Sequence, residues 1–285
     1  MAATYNNLYL DARKRLREAG VEGAQLEARE LVCCAAGKSR EQFYRDMALY
    51  ASDPVEEKLA ELLERRLAGE PVAYLIGEWE FYGLGLDITP DVLIPRMDTE
   101  VLAERAILLA RAAGEGARVL DLCAGSGCVG LAVAANVPGC RVVLADVSEA
   151  ALRLCKQNVR RNELNARVTC VQADALEPPD AALWDFDVIA CNPPYIPTGD
   201  IAELDVSVRD YEPRSALDGG ADGLDFYRAA RWGAALRLSG ALLFEVGIGQ
   251  AGDVGAILAQ NQFEQIQTFQ DTQGIGRVVE GVLNS

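Results

Sequence analysis

From about residue 90 to the end of the chain, short apolar runs alternate with stretches of helical periodicity, and that alternation leaves few folds open. Arg118-Val-Leu-Asp-Leu-Cys123 reads as a strand, followed by a glycine loop and a helix to about Ala135. Arg141-Val-Val-Leu-Ala-Asp146 is a second strand, with a helix over about 148–162, and Arg167-Val-Thr-Cys-Val-Gln172 is a third. Phe186-Asp-Val-Ile-Ala-Cys191 is a fourth, a helix is predicted over about 223–238, and Ala241-Leu-Leu-Phe-Glu-Val246 is a fifth. A helix near 250–260 and strands near 263–269 and 277–283 complete the pattern. Strands buried on both faces read as continuous apolar runs, and strand–helix–strand order calls for a parallel sheet covered by helices on both sides. The prediction is an α/β fold with a seven-stranded, mostly parallel sheet.

The first 75 residues have a different period. Leu8, Ala12, Leu16 and Ala19 form one apolar stripe closed by Gly20, and a second helix runs roughly from Ala24 to Ala36 and stops at Gly37. Another is expected to begin with Asp53 as N-cap, Pro54 at the first helical position and Glu56 completing a capping box. Its buried face would be Leu59, Leu62, Leu63 and Leu67, with Gly69 as the stop. Residues 1–75 are therefore expected to form a small helical bundle. Within 78–89, aromatic and apolar residues flank glycines as in a β-hairpin, so 76–90 is taken as a linker and 91–285 as the α/β domain. At roughly 150 residues per domain, a chain of 285 has room for two cores.

Composition narrows the chemistry. The chain has no histidine, which removes Ser-His-Asp and Cys-His catalysis, imidazole general bases and histidine-containing metal sites. Its formal net charge is −16, which argues against broad binding to nucleic acid or to an anionic membrane. Residues 1–85 carry 11 basic and 15 acidic side chains, so most of the acidity lies in the second domain. The eight cysteines include no CxxC pair and sit mostly in apolar runs, which reads as reduced core thiols in a reducing cytosol and no metal site. Met1-Ala-Ala-Thr-Tyr-Asn-Asn7 has no basic region followed by an apolar core, so no signal peptide is expected. The longest uncharged run, 122–140, holds five glycine or proline residues and reads as strand, loop and helix, not a membrane span. A cytoplasmic protein is expected.

The first strand of the α/β region ends in Asp121-Leu-Cys-Ala-Gly-Ser-Gly127. Gly125 and Gly127 stand where the strand turns into a helix, where the backbone can approach a ligand and free helix N–H groups await. Asp146 ends the next strand, 21 residues after Gly125, at the position that bonds ribose hydroxyls in nucleotide-binding βαβ units. The bland reading is a tight turn with an aspartate at a strand end. Gly125, Gly127 and Gly130 also satisfy a GxGxxG spacing, so a dinucleotide stays open. The acidic Asp121 suits a cationic ligand such as S-adenosylmethionine better than a pyrophosphate.

Asn192-Pro193-Pro194-Tyr195 follows the fourth strand, where open parallel sheets bind ligands. An Asn oxygen can accept one hydrogen of an NH₂ group and the Pro193 carbonyl the other, with both prolines holding that carbonyl rigidly. Tyr195 offers a ring face for stacking. Such a constellation orients a weakly nucleophilic amide or aromatic amine by proximity alone and needs no histidine. Read without the loop, it is a proline-rich turn leaving a strand. An adenine-N6 methyltransferase shares the tetrapeptide, but the charge of −16 and the lack of a basic cluster weigh against one.

Further pieces extend along the chain: Gly69-Glu-Pro-Val-Ala-Tyr74 with Gly77, Glu80 and Phe81; Leu93-Ile-Pro-Arg-Met-Asp-Thr-Glu100; Glu212-Pro213; Ala216-Leu217; Gly219-Gly220; Asp222-Gly-Leu224; and Tyr227-Arg228. With the loop and the tetrapeptide, they resemble over nearly the whole chain the protein-(glutamine-N5) methyltransferases of peptide chain release factors, the HemK/PrmC type. The resemblance implies a Rossmann-like class I methyltransferase domain, S-adenosylmethionine as methyl donor with S-adenosylhomocysteine as product, and no metal. It implies that the acceptor is the glutamine of a release factor's Gly-Gly-Gln loop, and that the chain is a monomer with no direct nucleic-acid or membrane partner. Carried over by position, Asp121, Cys123, Ala124, Gly125, Ser126 and Gly127 would hold the methionine part of the cofactor, Asp146 the ribose, and Asp174 and Ala175 the adenine. Asn192 would touch both cofactor and substrate, with Pro193, Pro194 and Tyr195 holding the glutamine, and Asn192, Pro193 and Tyr195 would carry the catalysis. Residues 94–100 would pack near the cofactor, on the start of a helix with Asp98 or Thr99 as N-cap. The helical domain would grip the body of the release factor. Three departures from the family pattern stand out: Cys123-Ala124 stand for a usual Gly-Thr, Met97 for a usual proline, and Ala175 is small.

Overall fold

The computed structural model describes residues 3–229 and 231–284, which form two units. The first runs to Glu78 and also takes Asp205–Tyr211; the second holds Trp79–Leu204 and the chain from Glu212 onward. A boundary read along the sequence places 205–211 with the α/β domain, whereas these seven residues pack with the helices: the Tyr211 hydroxyl donates to the Ala68 carbonyl at 3.4 Å.

In the first unit α1 (Tyr5–Glu18) is capped by Thr4, whose hydroxyl accepts from the Asn7 N–H at 3.2 Å. Ala12 and Leu16 are buried as the stripe predicts, but Ala19 is exposed. Then come α2 (Ala24–Ala36), α3 (Arg40–Asp46), α4 (Asp53–Leu67) and α5 (Val72–Ile76). The expected cap of α4 is not formed. Ser52 is its N-cap without a side-chain bond, and the Glu56 carboxylate instead accepts from the Ala3 N–H at 2.9 Å. The capping box of this unit belongs to α3, between Ser39 and Gln42. Leu59, Leu62 and Leu63 are buried, while Leu67 is 37% exposed.

Next, β1 (Glu78–Phe81) and β2 (Leu84–Asp87) form the predicted hairpin. Tyr82 and Gly83 both take positive φ, 50° and 76°, the backbone of a two-residue turn that matches strand twist. The α/β layer follows with α6 (Thr99–Ala113), β3 (Arg118–Leu122), α7 (Cys128–Asn136), β4 (Arg141–Asp146), α8 (Glu149–Arg161), β5 (Val168–Gln172) and β6 (Phe186–Cys191). After β6 lies a helical turn, α9 (Val206–Arg209), then α10 (Asp225–Arg228), β7 (Leu236–Glu245), α11 (Ala251–Gln260), β8 (Phe263–Gln270) and β9 (Gly276–Leu283). The sheet has seven strands in the order β5-β4-β3-β6-β7-β9-β8; β5 through β7 are parallel, and β9 runs antiparallel to both β7 and β8.

The single helix predicted over 223–238 is replaced by α10, a 3₁₀ turn at Arg231–Ala235 and the start of β7; position 230 lies outside the described residues. The reason is tertiary. Leu236 pairs with Phe186 in the sheet, and the buried Trp232 ring donates its N–H to the Ala175 carbonyl at 3.1 Å. All eight cysteines are free thiols, five of them buried. Among the described residues no helix is long and apolar enough to cross a membrane.

Candidate active site

The winding of the sheet reverses between β3 and β6, which are neighbours with Leu122 opposite Cys191. Connections leaving two such adjacent carboxyl ends bound the ligand crevice of an open parallel sheet. Here they are the loop 123–127 and the turn 192–195, which border a cavity of about 450 Å³. Asp121, Cys123, Ala124, Gly125, Ser126, Asp146, Asp174, Ala175, Asn192 and Pro194 line it; Gly127, Pro193 and Tyr195 are not among its lining residues.

The loop is held from three sides. The Ala124 N–H bonds the Ala145 carbonyl at 3.0 Å, the Gly125 N–H bonds Asp146 Oδ2 at 2.9 Å, and Asn158 Nδ2 on α8 donates to the Ser126 carbonyl at 2.9 Å. Asn158 is buried, and its Oδ1 accepts from the Asp87 N–H at 2.7 Å, so one side chain ties the hairpin to the loop. Cys123 takes φ +59°, the left-handed region, where a side chain costs about 1 kcal/mol. The glycine that the resembled family carries at this position would adopt it freely.

Asp121 lies on β3, 2% exposed, with Oδ2 accepting from the Gly130 N–H at 2.7 Å. Burial pushes its carboxyl up to about 7; the Gly130 N–H opposes the rise and the nearby Asp146 charge adds to it. Asp146 is raised too, chiefly by burial, against the Ser148 and Gly125 N–H groups bonded to its two oxygens. Asp174 is exposed at the rim, where its Oδ1 accepts from the Leu176 N–H at 2.9 Å.

On the other side, Asn192 Nδ2 donates to Thr99 Oγ1 at 3.4 Å. Thr99, the first residue of α6, is 2% exposed and also lines the cavity. Beyond the prolines the chain pairs with a later segment: the Ile196 N–H bonds the Leu217 carbonyl, and the Gly219 N–H bonds the Ile196 carbonyl. A Cβ on Gly219 would stand 2.8 Å from the Pro194 carbonyl oxygen, which accounts for a glycine there. Tyr195 is half-buried. Its hydroxyl donates to Glu245 Oε1 at 3.5 Å, its ring lies against Gly247, and Gln250 Nε2 donates to its carbonyl at 2.9 Å.

Glu245, at the end of β7, escapes the sequence reading. It is 2% exposed, and burial pushes its carboxyl up to about 7, while hydrogen bonds from Thr99 and Tyr195 pull it back. The signal was a charged residue closing an apolar strand beside the fourth. Two motif pieces far apart in sequence also meet: the Arg96 guanidinium pairs with the buried Glu212 carboxylate, whose other oxygen accepts from the Ile94 N–H at 3.3 Å.

Residues 7–77 match the PrmC N-terminal domain, and residues 85–206 match the methyltransferase small domain. The release factor glutamine methyltransferase of Geobacter sulfurreducens is 43% identical over 273 residues, 94% of this chain and 93% of its own length. That of Caulobacter vibrioides is 34% identical over 286 residues, 100% of this chain and 98% of its own. The chain belongs to the release factor glutamine methyltransferases. Among solved structures, the hMettl16 catalytic domain in complex with the MAT2A 3′UTR hairpin 6 shares the fold, with a TM-score of 0.58 at 16% identity over 79% of this chain and 83% of that one. This release factor glutamine methyltransferase thus has the Rossmann-like architecture of class I methyltransferases, with the loop after β3 and the tetrapeptide after β6 at one cavity.

Proposed function

We propose that this chain transfers a methyl group from S-adenosylmethionine to the side-chain amide nitrogen of the glutamine in the Gly-Gly-Gln loop of a peptide chain release factor. The observation that carries this reading is the juxtaposition of Asn192 with the loop 123–127 at the β3–β6 boundary, both lining one cavity. The chemistry of the lining fits the cofactor. Its size is in the range that holds a cofactor-sized ligand. The buried Asp121 carboxylate suits the ammonium and sulfonium end, and the backbone of 123–127 would line the methionine part. Each Asp146 oxygen takes one backbone N–H and keeps a further lone pair for a ribose hydroxyl. Asp174 and Ala175 would border the adenine. When bound, the cofactor supplies an electrophilic methyl carbon.

The rest of the work is positioning. An amide nitrogen is a weak nucleophile because its lone pair is delocalised. Asn192 Oδ1 and the Pro193 carbonyl would accept its two hydrogens, and the fixed φ of Pro193 and Pro194 keeps that carbonyl in place. Orientation of this kind contributes about 7–11 kcal/mol where it is fully realised. The same two oxygens stabilise the positive charge that grows on the nitrogen, and solvent takes the proton, so a chain without histidine lacks nothing the step needs. A three-residue loop offers little area, and the first unit is proposed to hold the body of the factor.

The deciding experiment offers whole release factor and methyl-labelled S-adenosylmethionine to the purified chain. Label should enter the factor and be absent from a factor whose loop glutamine is replaced by glutamate. Label in both factors, or in neither, overturns the reading.

A further inference from the structure

We infer that Trp232 is a positioning residue for the cofactor: through the Ala175–Leu176 peptide it sets how Asp174 meets the adenine base. The inference rests on the reading above that 174 and 175 border that base, and adds what holds them in place.

Three hydrogen bonds fasten the segment that leaves β5. The Ala173 N–H bonds the Asp146 carbonyl at 3.1 Å, the Leu176 N–H bonds Asp174 Oδ1 at 2.9 Å, and the Trp232 indole N–H bonds the Ala175 carbonyl at 3.1 Å. The last two share one peptide unit. Its carbonyl and its N–H lie in one plane and point opposite ways. Trp232 is 2% exposed, in the turn before β7, while Asp174 is exposed at the cavity rim. One end of the plane is therefore held from the core, and the other end holds the carboxylate. Turning that peptide would break both bonds at once.

What the segment leaves unbonded matches the edge of an adenine. Among the described residues, Asp174 Oδ2 accepts from no group and the Ala175 N–H donates to none, although Ala175 is buried. A buried N–H without a partner is rare, and both residues line the cavity, so the acceptor it lacks is one a ligand can bring. An acceptor beside a donor complements the amino group and ring N1 of adenine. Hypoxanthine, with O6 and N1–H in those places, reverses both. The methyl group of Ala175 has no polar atom, so on this segment the base is read by backbone and by Asp174, and the placement of those groups carries the selectivity. A tryptophan that only filled the core would be served by any buried acceptor. This one takes the carbonyl whose peptide also holds Asp174.

The test measures binding, by calorimetric titration of the full chain with S-adenosylhomocysteine and with S-inosylhomocysteine, its hypoxanthine counterpart. The parent should prefer the adenine ligand about thirtyfold or more. Trp232→Phe, which keeps a buried ring and loses the N–H, should cut that preference about tenfold. In an Asp174→Ala background the same substitution should change it by less than about twofold, because no carboxylate is left to place. A purely structural tryptophan would weaken both ligands alike. A ratio unchanged by Trp232→Phe, or one cut as deeply in the Asp174→Ala background, therefore overturns the inference. Should Trp232→Phe fail to fold, a full chain with 3-benzothienylalanine at 232, which puts sulfur in place of the N–H at nearly equal shape, reads out the same ratio. A parent that binds both ligands alike overturns the adenine reading of 174 and 175, and this inference with it. No methyl acceptor enters the titration, so neither result depends on a release factor being the substrate.

Discussion

The backbone N–H of Gly125 donates to Asp146 Oδ2 at 2.9 Å, across 21 residues of sequence. The carboxylate proposed to meet the ribose is therefore also a fastening of the loop proposed to meet the methionine part. Asp146→Ala should weaken S-adenosylmethionine binding about tenfold or more, because it removes a charge-assisted acceptor and loosens the loop at once. Asp146→Asn keeps an oxygen for Gly125 and should lose less. Calorimetric titration of both variants checks this; equal affinity of Asp146→Ala and the parent would count against the assigned role.

Two glycines predict opposite outcomes for the same substitution. A Cβ on Gly130 of α7 would stand 2.3 Å from Leu144 Cδ2 and 3.0 Å from the Asp121 Cβ, while one on Gly252 of α11 would meet nothing within 4 Å. Alanine adds up to about 1 kcal/mol of helix propensity at either place. At Gly130, overpacking of about 1–3 kcal/mol outweighs it, so Gly130→Ala should destabilise and Gly252→Ala should stabilise. Urea unfolding of the two variants gives the signs directly.

Asp121 titrates near 3.8 when unfolded and near 7 in the fold. Between those pH values the folded chain holds a proton that the unfolded chain has lost. The stability contributed by that proton is present below about pH 4 and disappears as pH rises through 7. Asp121→Asn stays neutral throughout. From pH 5 to pH 8 the parent should therefore lose stability relative to Asp121→Asn, on the order of 2 kcal/mol. Denaturant midpoints across this window measure it, and a constant gap between the two proteins would show that Asp121 does not titrate there.

The pair of Arg96 and Glu212 is lopsided, with the Glu212 side chain 1% exposed and the Arg96 side chain 39%. Arg96→Ala strands a buried carboxylate and should cost about 3 kcal/mol, below the full value for a buried pair because Arg96 is partly hydrated. Glu212→Gln keeps an acceptor for the Ile94 N–H and leaves Arg96 free to reach water, so it should cost about 1 kcal/mol. Thermal unfolding that ranks the two variants the other way would contradict this account.

The central strands β3 and β6 are legible in the sequence because each is a dense apolar run, and Val119, Leu120, Val188 and Ile189 are indeed fully buried. Patterns that depend on distant partners are not legible. Glu56 looks like the third residue of a capping box, yet the Ala3 N–H claims it from the chain's beginning. Residues 231–235 carry helical periodicity, but Trp232 is drawn to the Ala175 carbonyl and Leu236 to Phe186, and the helix never forms. At the candidate site the same division holds. Cys123 to Ser126, Asp146 and Asn192 announce themselves by loop chemistry and strand ends. Thr99 shows locally only as the start of a helix and Glu245 only as a charge closing an apolar strand, while Asn158 and Gln250 carry no local signal, since what matters about each is a hydrogen bond made across the fold.

The seven residues Asp205–Tyr211 give the first unit a second, late entry of the chain. A Cβ on Gly69 would stand 2.8 Å from Val206 Cγ1, so the end of α4 is shaped to receive a segment that lies more than a hundred residues downstream. During synthesis the helices of this unit leave the ribosome early but wait for their last piece until most of the α/β layer has followed. A truncation near residue 75 removes the helices and strands that piece without them. For this chain, vectorial folding from the N-terminus cannot be finished domain by domain, and neither unit can be cut free at a single peptide bond.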